Sequence, residues 1–182
     1  SFTPTDDSIY EGNETGIVAI SGVSGADAAE SGSQSVTITI TENESAPTVT
    51  LTSSASSITE NAGSSLTLTA TLSVATTADV TVGISTSGTG TEGTDYSTIS
   101  DITISAGATT GTASFTPTDD SVYEGNETGI VAISTVSGGS ATEDGTQSVT
   151  ITITENESSP TVTLTTSDTS IAENSGSTLT LT

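Results

Sequence analysis

No lysine, arginine or histidine occurs in this chain, although it carries 23 aspartate and glutamate residues and hence a formal net charge of −23 at pH 7. Binding to nucleic acid is excluded, because proteins neutralise phosphates with basic side chains. An anionic membrane surface is an equally poor partner. Every carboxylate also lacks a side-chain cation with which to form an ion pair.

Cysteine and tryptophan are absent too, and aromatic residues make up only 3% of the sequence. Without cysteine or histidine the chain can form no disulfide and offers zinc none of its usual nitrogen and sulfur ligands. The same absences remove nearly every arrangement of catalytic nucleophile and base. A glycosidase pair of carboxylates is disfavoured, because three tyrosines and no tryptophan leave little with which to build an apolar sugar cleft. We therefore expect a protein that is not an enzyme.

The sequence repeats itself at a long period. Residues 1–69 match residues 114–182 without a gap at an offset of 113, with 55 of 69 positions identical. A period of this length is a whole domain rather than one solenoid turn, so we expect a window on a tandem array. The repeated proline junctions divide it into residues 1–45, the C-terminal part of one copy (the first copy), residues 46–158, a complete copy (the complete unit), and residues 159–182, the N-terminal part of the next (the third copy).

Apolar residues alternate with threonine along much of the complete unit, which is the period of β-strands. The alternating positions are Val49, Leu51, Leu66, Leu68, Ala70, Leu72, Val80, Val82, Ile84, Val149, Ile151 and Ile153. Further strands are predicted at residues 101–105, at 110–116 with Phe115 facing inward, and at 128–134, where the run 129–133 is expected to be buried on both faces. About seven strands without any helical period predict an all-β fold, an antiparallel two-sheet sandwich.

Four acidic groups fall in loops that a sandwich could bring to one end. They are Glu60, Asp95, the run of acids from Asp119 to Glu127, and Glu155 with Glu157. Carboxylates that converge without a basic partner repel one another, and a hard cation with oxygen ligands relieves the repulsion. Ca²⁺ suits such a mixed set better than Mg²⁺, which demands a tighter octahedron; the alternative is a set of solvated turn acids. Isolated acids elsewhere are expected only to add surface charge: Asp79, Glu92 and Asp101.

Several of these segments together resemble the Calx-β repeat. They are Glu60-Asn-Ala-Gly, Gly-Thr-Asp95-Tyr, Ile104-Ser-Ala-Gly, and Asp119-Asp120 followed by Glu124-Gly-Asn-Glu127. The resemblance covers the complete unit and both partial copies. It implies an immunoglobulin-like sandwich with Ca²⁺ bound where one domain meets the next. The implied metal ligands are Glu60, Asp95, Asp119, Asp120, Glu124, Glu127, Glu155 and Glu157, with the counterparts Asp6, Asp7, Glu11, Glu14, Glu42, Glu44 and Glu173 in the partial copies.

A structural role follows as the leading hypothesis. High identity between copies is typical of a spacer, and abundant Thr, Ser and Gly without basic residues suit an extracellular, cell-surface or secreted protein. No apolar run has the roughly 20 residues of a membrane span, so no direct membrane insertion is expected. We expect Ca²⁺ at each junction to stiffen a stalk or fibre whose partners are neighbouring repeats. A calcium-sensing or adhesive ligand-binding module is the alternative.

Two further possibilities arise from the strands themselves. Identical chains could exchange strands to give a homopolymeric fibre, because the edges lack lysine, one usual guard against edge pairing. The threonine rows also match those of an ice-binding surface. Any solvent-facing strand rich in threonine produces the same rows, so this second reading has little weight.

Overall fold

The computed structural model describes residues 1–182, and all its regular elements are strands. In chain order they are β1 (Ile9–Tyr10), β2 (Glu14–Ala19), β3 (Ser35–Ile40), β4 (Thr48–Ser53), β5 (Ser57–Thr59), β6 (Leu66–Leu72), β7 (Ala75–Thr76), β8 (Val80–Gly88), β9 (Ile102–Ile104), β10 (Thr110–Phe115), β11 (Glu127–Ser137), β12 (Thr142–Glu143) and β13 (Ser148–Thr154). It contains no helix of the length and apolarity that crossing a membrane requires.

Two packed sheets form the complete unit. One has the strand order β10-β6-β4-β12 and the other the order β5-β13-β11-β8-β9. Seven strands pair antiparallel, namely β4, β6, β8, β9, β10, β11 and β13, whereas β5 and β12 pair parallel to β13 and β4. Between the sheets lies a core of 18 buried apolar residues, all of them between Val49 and Ile153 in the sequence. Aliphatic side chains dominate this core, since Tyr96 and Phe115 are its only aromatic members.

The all-β, immunoglobulin-like sandwich predicted from the sequence is confirmed, and the seven expected strands are all present. Three short strands were missed, namely β5, β7 and β12, because each has at most one apolar residue and so shows no alternation. The expectation that residues 129–133 are buried on both faces is wrong in part. Gly129, Val131 and Ile133 are buried, but Ile130 and Ala132 are only half-buried. A two-layer sandwich covers one face of each sheet, so the outer face of β11 stays partly open to solvent.

The first copy reproduces one hairpin of the complete unit. Glu14 of β2 lies opposite Ile40 of β3, in the same register as Glu127 opposite Ile153 in β11 and β13. No second sheet packs on this hairpin. Val18 is therefore 51% exposed, whereas its counterpart Val131 is fully buried. The third copy contains no strand, and its domain limits, like those of the first copy, stay a prediction.

The first copy meets the complete unit through two short strands. β1 pairs in parallel with β7, so that Ile9 lies opposite Ala75 and Tyr10 opposite Thr76. β7 lies in the connection between β6 and β8. This connection is at the end of the sandwich opposite to the end where β8 and β13 finish. The arrangement is therefore head to tail.

Candidate metal centre

Glu60 and Glu155 are brought side by side by a pair of parallel strands. In the register of β5 and β13, Thr59 lies opposite Thr154, so the next residue of each strand is an acid. The Glu60 N–H donates to the carbonyl oxygen of Thr154 over 3.0 Å and extends the pairing by one residue. The buried side chain of Ile58 holds β5 on the core. A strand of three residues thus fixes the relative position of two carboxylates.

Asp95 reaches the same end of the sandwich through its neighbour Tyr96. The Tyr96 side chain is 1% exposed and stacks on Phe115, with ring centroids 4.6 Å apart. A Cβ atom at Gly129 would lie 2.7 Å from the Phe115 ring, so only glycine leaves room for this stack. The carbonyl oxygen of Asp95 accepts the N–H of Thr118 at 2.9 Å. This bond ties the Asp95 loop to the segment that carries Asp119 and Asp120.

Three overlapping groups of carboxylates converge at this end. Within each group, one oxygen of every side chain lies within 4.8 Å of the others. The groups are Glu60, Glu155 and Glu157; Glu60, Asp120 and Glu124; and Asp95, Glu124 and Glu127. Seven of the eight ligands implied for the complete unit therefore belong to one connected site, here called the acidic cluster. Asp119 lies outside the three groups, and its Oδ1 accepts a hydrogen bond from Asn156 Nδ2 at 3.4 Å.

Glu155 is held in place by backbone donors. Its Oε2 accepts the N–H groups of Glu124 at 2.6 Å and of Gly125 at 2.7 Å, and its Oε1 accepts those of Asn156 and Glu157, each at 3.0 Å. These bonds, led by the one from the Glu157 N–H, favour the charged carboxylate and lower the pKa of Glu155 to about 2. Glu155 is therefore a fixed negative charge at neutral pH. It also fastens the loop before β11 to the end of β13.

Glu157 behaves in the opposite way. A hydrogen bond shared with the Glu155 carboxyl group, together with burial, raises the pKa of Glu157 to about 7. Its Oε2 atom is buried and has no hydrogen-bond partner. A buried carboxylate oxygen without a partner is costly unless a proton or a cation lies against it. Glu157 therefore offers a metal ion an oxygen that no protein group uses.

The pKa values of three further cluster residues, Glu60, Glu124 and Glu127, are also raised. Burial is the largest cause of the rise for each of them. The negative charge of Glu155 further raises the pKa of Glu60, and the negative charge of Asp95 further raises the pKa values of Glu124 and Glu127. Acids that share a site without a compensating positive charge shift in this direction. A bound divalent cation would reverse the shift, because it stabilises every charged form at once.

The first copy repeats the local hydrogen bonds of the cluster but not its convergence. Glu42 Oε2 accepts the N–H groups of Glu11 at 2.6 Å and Gly12 at 2.7 Å, and bonds led by the Glu44 N–H lower the pKa of Glu42 to about 2. Each of the three groups contains Glu60 or Asp95, and residues 1–45 match a part of the repeat that includes neither of them. The implied ligands of the partial copies therefore belong to no group of three converging carboxylates: Asp6, Asp7, Glu11, Glu14, Glu42, Glu44 and Glu173.

Two asparagine side chains that sequence reasoning missed help to organise the cluster. Asn126 Oδ1 accepts the N–H of Glu155 at 3.0 Å, and Asn156 Nδ2 donates to Glu157 Oε1 at 2.9 Å. The available signal was their recurrence as Asn13 and Asn43 in the first copy. Asn13 makes the corresponding bond there, with its Oδ1 accepting the N–H of Glu42 at 2.9 Å.

The isolated acids do more than add surface charge, so that expectation is wrong. Their carboxylates accept backbone N–H groups at 2.7 to 3.0 Å. The donors to Asp79 and Glu92 are the loop N–H groups of Ala106 and Ile99, and the donor to Asp101 is the N–H of Ile84, in β8 beyond the residues that pair with β9. Backbone N–H groups without a partner in a strand ladder need such acceptors, which explains why acids lie at these positions.

The donor set of the acidic cluster fits a hard cation. Every side-chain ligand is an oxygen, and the whole chain has no histidine or cysteine to attract zinc. Glu60 and Glu124 each belong to two groups, so each would help to hold a cation in both of its groups. The carboxylates come from several separate loops, mostly on the long side chain of Glu. Such a set suits the flexible coordination of Ca²⁺ better than the strict octahedron that Mg²⁺ requires.

The fold and the cluster define the class of the molecule: a small immunoglobulin-like sandwich with a candidate cation site in the loops at one end. A family model for the Calx-beta domain matches residues 42–157. The chain belongs to the Calx-beta domain family, and the resemblance seen in its motifs is confirmed.

Solved structures of similar fold include two proteins named Calx. The apo form of the Calx CBD1 domain is 18% identical with a TM-score of 0.49, and the likeness covers 60% of this chain and 98% of that one. CBD12 from CALX1.2 is also 18% identical with a TM-score of 0.47, over 54% of this chain and 41% of that one. None of the curated protein sequences compared with the chain matches it.

Proposed function

We propose that this chain is a calcium-binding structural repeat of a large extracellular surface protein or filament. In this proposal Ca²⁺ binds at the junctions between copies and stiffens a stalk or fibre, and the repeat has no catalytic role. One observation carries the proposal: three overlapping carboxylate groups converge in a chain that has no basic side chain to neutralise them. The long repeat, with 55 of 69 compared positions identical, supports the structural part of the proposal. A composition rich in Thr, Ser and Gly without basic residues supports the extracellular part.

The residues that would hold Ca²⁺ are the seven of the acidic cluster. Glu155 supplies a permanent charge, and Glu157 supplies an oxygen without another partner. The cation would take the place of the proton that Glu157 holds near neutral pH and would neutralise the repulsion between the remaining carboxylates. Carbonyl oxygens and water would complete the six to eight ligands typical of Ca²⁺.

The position of the cluster in the chain links cation binding to stiffness. Glu155 and Glu157 directly follow β13, and only two residues separate Glu157 from Pro160 at the start of the third copy. A metal ion that joins these residues to Glu60 and Asp120 would immobilise the beginning of the linker. In the first copy, Ile9 and Tyr10 lie between Asp7 and Glu11, the counterparts of Asp120 and Glu124, and they pair with β7 of the complete unit. An ion bound there would therefore act close to the contact between copies.

Calcium titration of the full chain tests the metal part of the proposal. We expect saturable heat on calorimetric titration and a rise in melting temperature, because an ion that binds only the folded state adds about 2.7 kcal/mol at a hundredfold excess over its dissociation constant. Glu60→Gln combined with Glu124→Gln should abolish both effects, since each of the three carboxylate groups contains at least one of these two residues. The matched control Asp79→Asn lies outside the cluster and should leave calcium binding intact. An unchanged melting curve from chelator to excess calcium would refute the metal site.

Small-angle X-ray scattering tests the structural part. The chain extended past Thr182 by residues 70–158 of its own sequence, so that a second complete copy follows Pro160, should have a larger and better-defined maximum dimension with calcium than with chelator. The reason is that a clamped linker samples fewer orientations. The cluster variant should show the chelator profile under both conditions. A profile that does not respond to calcium in a chain that demonstrably binds it would refute stiffening while leaving the metal site in place.

A further inference from the structure

The contact between the first copy and the complete unit is made by main-chain pairing. β1 adds to β7 as a parallel strand, with Ile9 opposite Ala75 and Tyr10 opposite Thr76. Both β1 residues are half-buried in this position. The pairing lies between residues of two different copies of the repeat, so it is an interface between domains rather than a part of either sandwich.

The β7 side of this interface is rigidly held by the complete unit. The Thr76 side chain is 1% exposed, and its hydroxyl donates to the carbonyl oxygen of Ala78 at 2.6 Å. The carbonyl oxygen of Thr76 accepts the N–H of Gly107 at 2.8 Å. A Cβ atom at Gly139 would lie 2.8 Å from the Thr76 hydroxyl oxygen, so a glycine is required for this packing. β7 is thus a preformed edge to which an extended segment can add.

The β1 side of the interface recurs in the complete unit. Val122 and Tyr123 are the counterparts of Ile9 and Tyr10 at the offset of 113. Asp120 Oδ1 accepts the N–H of Val122 at 2.6 Å, as Asp7 Oδ1 accepts that of Ile9 at 2.8 Å. The carboxylates of Glu155 and Glu42 fix the residues that follow in the two copies. The two segments therefore have the same local support.

Their surroundings differ in one respect. Val122 is 56% exposed and Tyr123 is 45% exposed, whereas β1 is half-covered by β7. The backbone bends at Val122, and neither residue of the pair belongs to a strand. An apolar pair that lies between fixed N–H groups and is left open to solvent is a surface to which another strand can add. The edge that fits this pair is the β7 of another copy, because Ile9 and Tyr10, the counterparts of Val122 and Tyr123, already occupy β7 within this chain.

We infer that Val122 and Tyr123 form a docking surface for the β7 edge of the following copy, in the register that Ile9 and Tyr10 adopt on Ala75 and Thr76. This inference rests on the proposed tandem array for its partner, but it requires no cation. The interface repeats at every junction and orients each sandwich on the next by main-chain pairing. Tyr123 and Val122 are covered when it forms.

Disulfide trapping tests the inference in the full chain extended past Thr182 by residues 70–158 of its own sequence. Thr182 corresponds to Thr69, so the added segment completes the third copy. Val122→Cys is combined with Ala75→Cys in the added copy, and the native sequence contains no other thiol. Opposed residues of neighbouring strands have Cα atoms about 5 Å apart, within the range that a disulfide can bridge. The same pair placed as Ile9→Cys and Ala75→Cys in the 182-residue chain is the positive control.

The matched control keeps Val122→Cys and places the second cysteine at exposed Ser97 of the added copy, at the other end of its sandwich. We expect the Val122 and Ala75 pair to form its intramolecular disulfide at least about tenfold faster than this control, because strand pairing raises the effective concentration of the two thiols. Equal rates would overturn the inference, and so would failure of the positive control, since both copies of the interface must pair. Circular dichroism of the reduced proteins verifies that each variant is folded.

Each rate is measured with excess calcium and with chelator. Fast trapping in a chain that shows no calcium binding would refute the proposed metal site and support the docking surface. Calcium binding without fast trapping would do the reverse. The two proposals can therefore fail independently.

Discussion

The pair of phenylalanines at Phe2 and Phe115 gives a test of how much the tertiary structure, rather than local sequence, determines stability. Both open the same segment, Ser-Phe-Thr-Pro-Thr-Asp-Asp, at the offset of 113. Phe115 is fully buried and stacks on Tyr96 with ring centroids 4.6 Å apart. Phe2 is 44% exposed. We therefore expect Phe115→Ala and Phe2→Ala to have very different effects.

The expected magnitudes follow from burial. Replacing a buried phenylalanine by alanine costs about 3–5 kcal/mol through lost transfer energy and the remaining cavity, and the aromatic pair adds about 0.5–1.5 kcal/mol. This is a large part of the roughly 5–15 kcal/mol by which a domain is stable. Phe2→Ala should cost about 1 kcal/mol or less, because its ring is only half removed from water and no closed cavity can form. The complete unit should therefore respond strongly to one substitution and weakly to the other.

Urea denaturation followed by circular dichroism measures both free energies of unfolding. Phe115→Ala should lower the midpoint without changing the slope, since the surface exposed on unfolding hardly changes. It should also weaken calcium binding, because Tyr96 loses the ring that positions the Asp95 loop. Equal losses for the two variants, or a loss below about 1 kcal/mol for Phe115→Ala, would refute the assignment of Phe115 to the core of one cooperative domain.

Three further predictions concern the cluster and its support. Gly129→Ala should destabilise the chain by about 1–3 kcal/mol, because its Cβ would lie 2.7 Å from the buried ring of Phe115. The counterpart Gly16→Ala should cost less, because the ring of Phe2 is half-exposed and can move away. Thermal melts of the two variants compare these losses. Glu155→Gln should weaken calcium binding about tenfold or more, since the number of carboxylate charges sets the affinity. Glu42→Gln should leave calcium binding unchanged, because Glu42 belongs to no group of converging carboxylates. Similar losses of affinity for the two variants in calorimetry would contradict the assignment of the site to the complete unit. The free energy of unfolding of the metal-free protein should fall as pH rises from about 5 to about 8. The pKa of Glu157 is raised to about 7 in the folded protein, so the protonated side chain favours the folded state. This contribution is complete below the pKa of the unfolded chain and is lost as Glu157 ionises. Melts in chelator at constant ionic strength should show the fall, and excess calcium should diminish it.

The opposite pH dependence belongs to Glu155. Its pKa is lowered to about 2, so its contribution is present above the unfolded value near 4.5 and disappears only as the pH falls toward 2. Protonation of Glu155 therefore destabilises the metal-free protein at low pH, and ionisation of Glu157 destabilises it as the pH rises past neutrality. A melting temperature that rises through neutral pH in chelator would contradict the assignment of the shared proton to the Glu155 and Glu157 pair.

Much of this fold could be predicted because alternation is a local property. Val49, Leu51 and Leu68 are each two residues from another apolar side chain, so the chain shows which face of a strand is buried before any partner is known. The strand that matters most for the site, β5, was missed. It has one buried residue, Ile58, and its position depends on the parallel partner β13, which is about a hundred residues away in the sequence.

The sequence by itself determined the composition of the acidic cluster, the absence of any compensating base and the recurrence of the same acids at the offset of 113. Only the tertiary structure decided that these acids converge. Glu60, Asp95 and Glu155 are far apart in the sequence, yet the three groups of the acidic cluster lie together at one end of the sandwich. The physical reason is that local hydrogen bonds, such as those that Glu42 and Glu155 both accept, need only segments that are already adjacent, whereas convergence needs Glu60 and Asp95 to be carried to Glu155 by strands that pair across the whole sandwich.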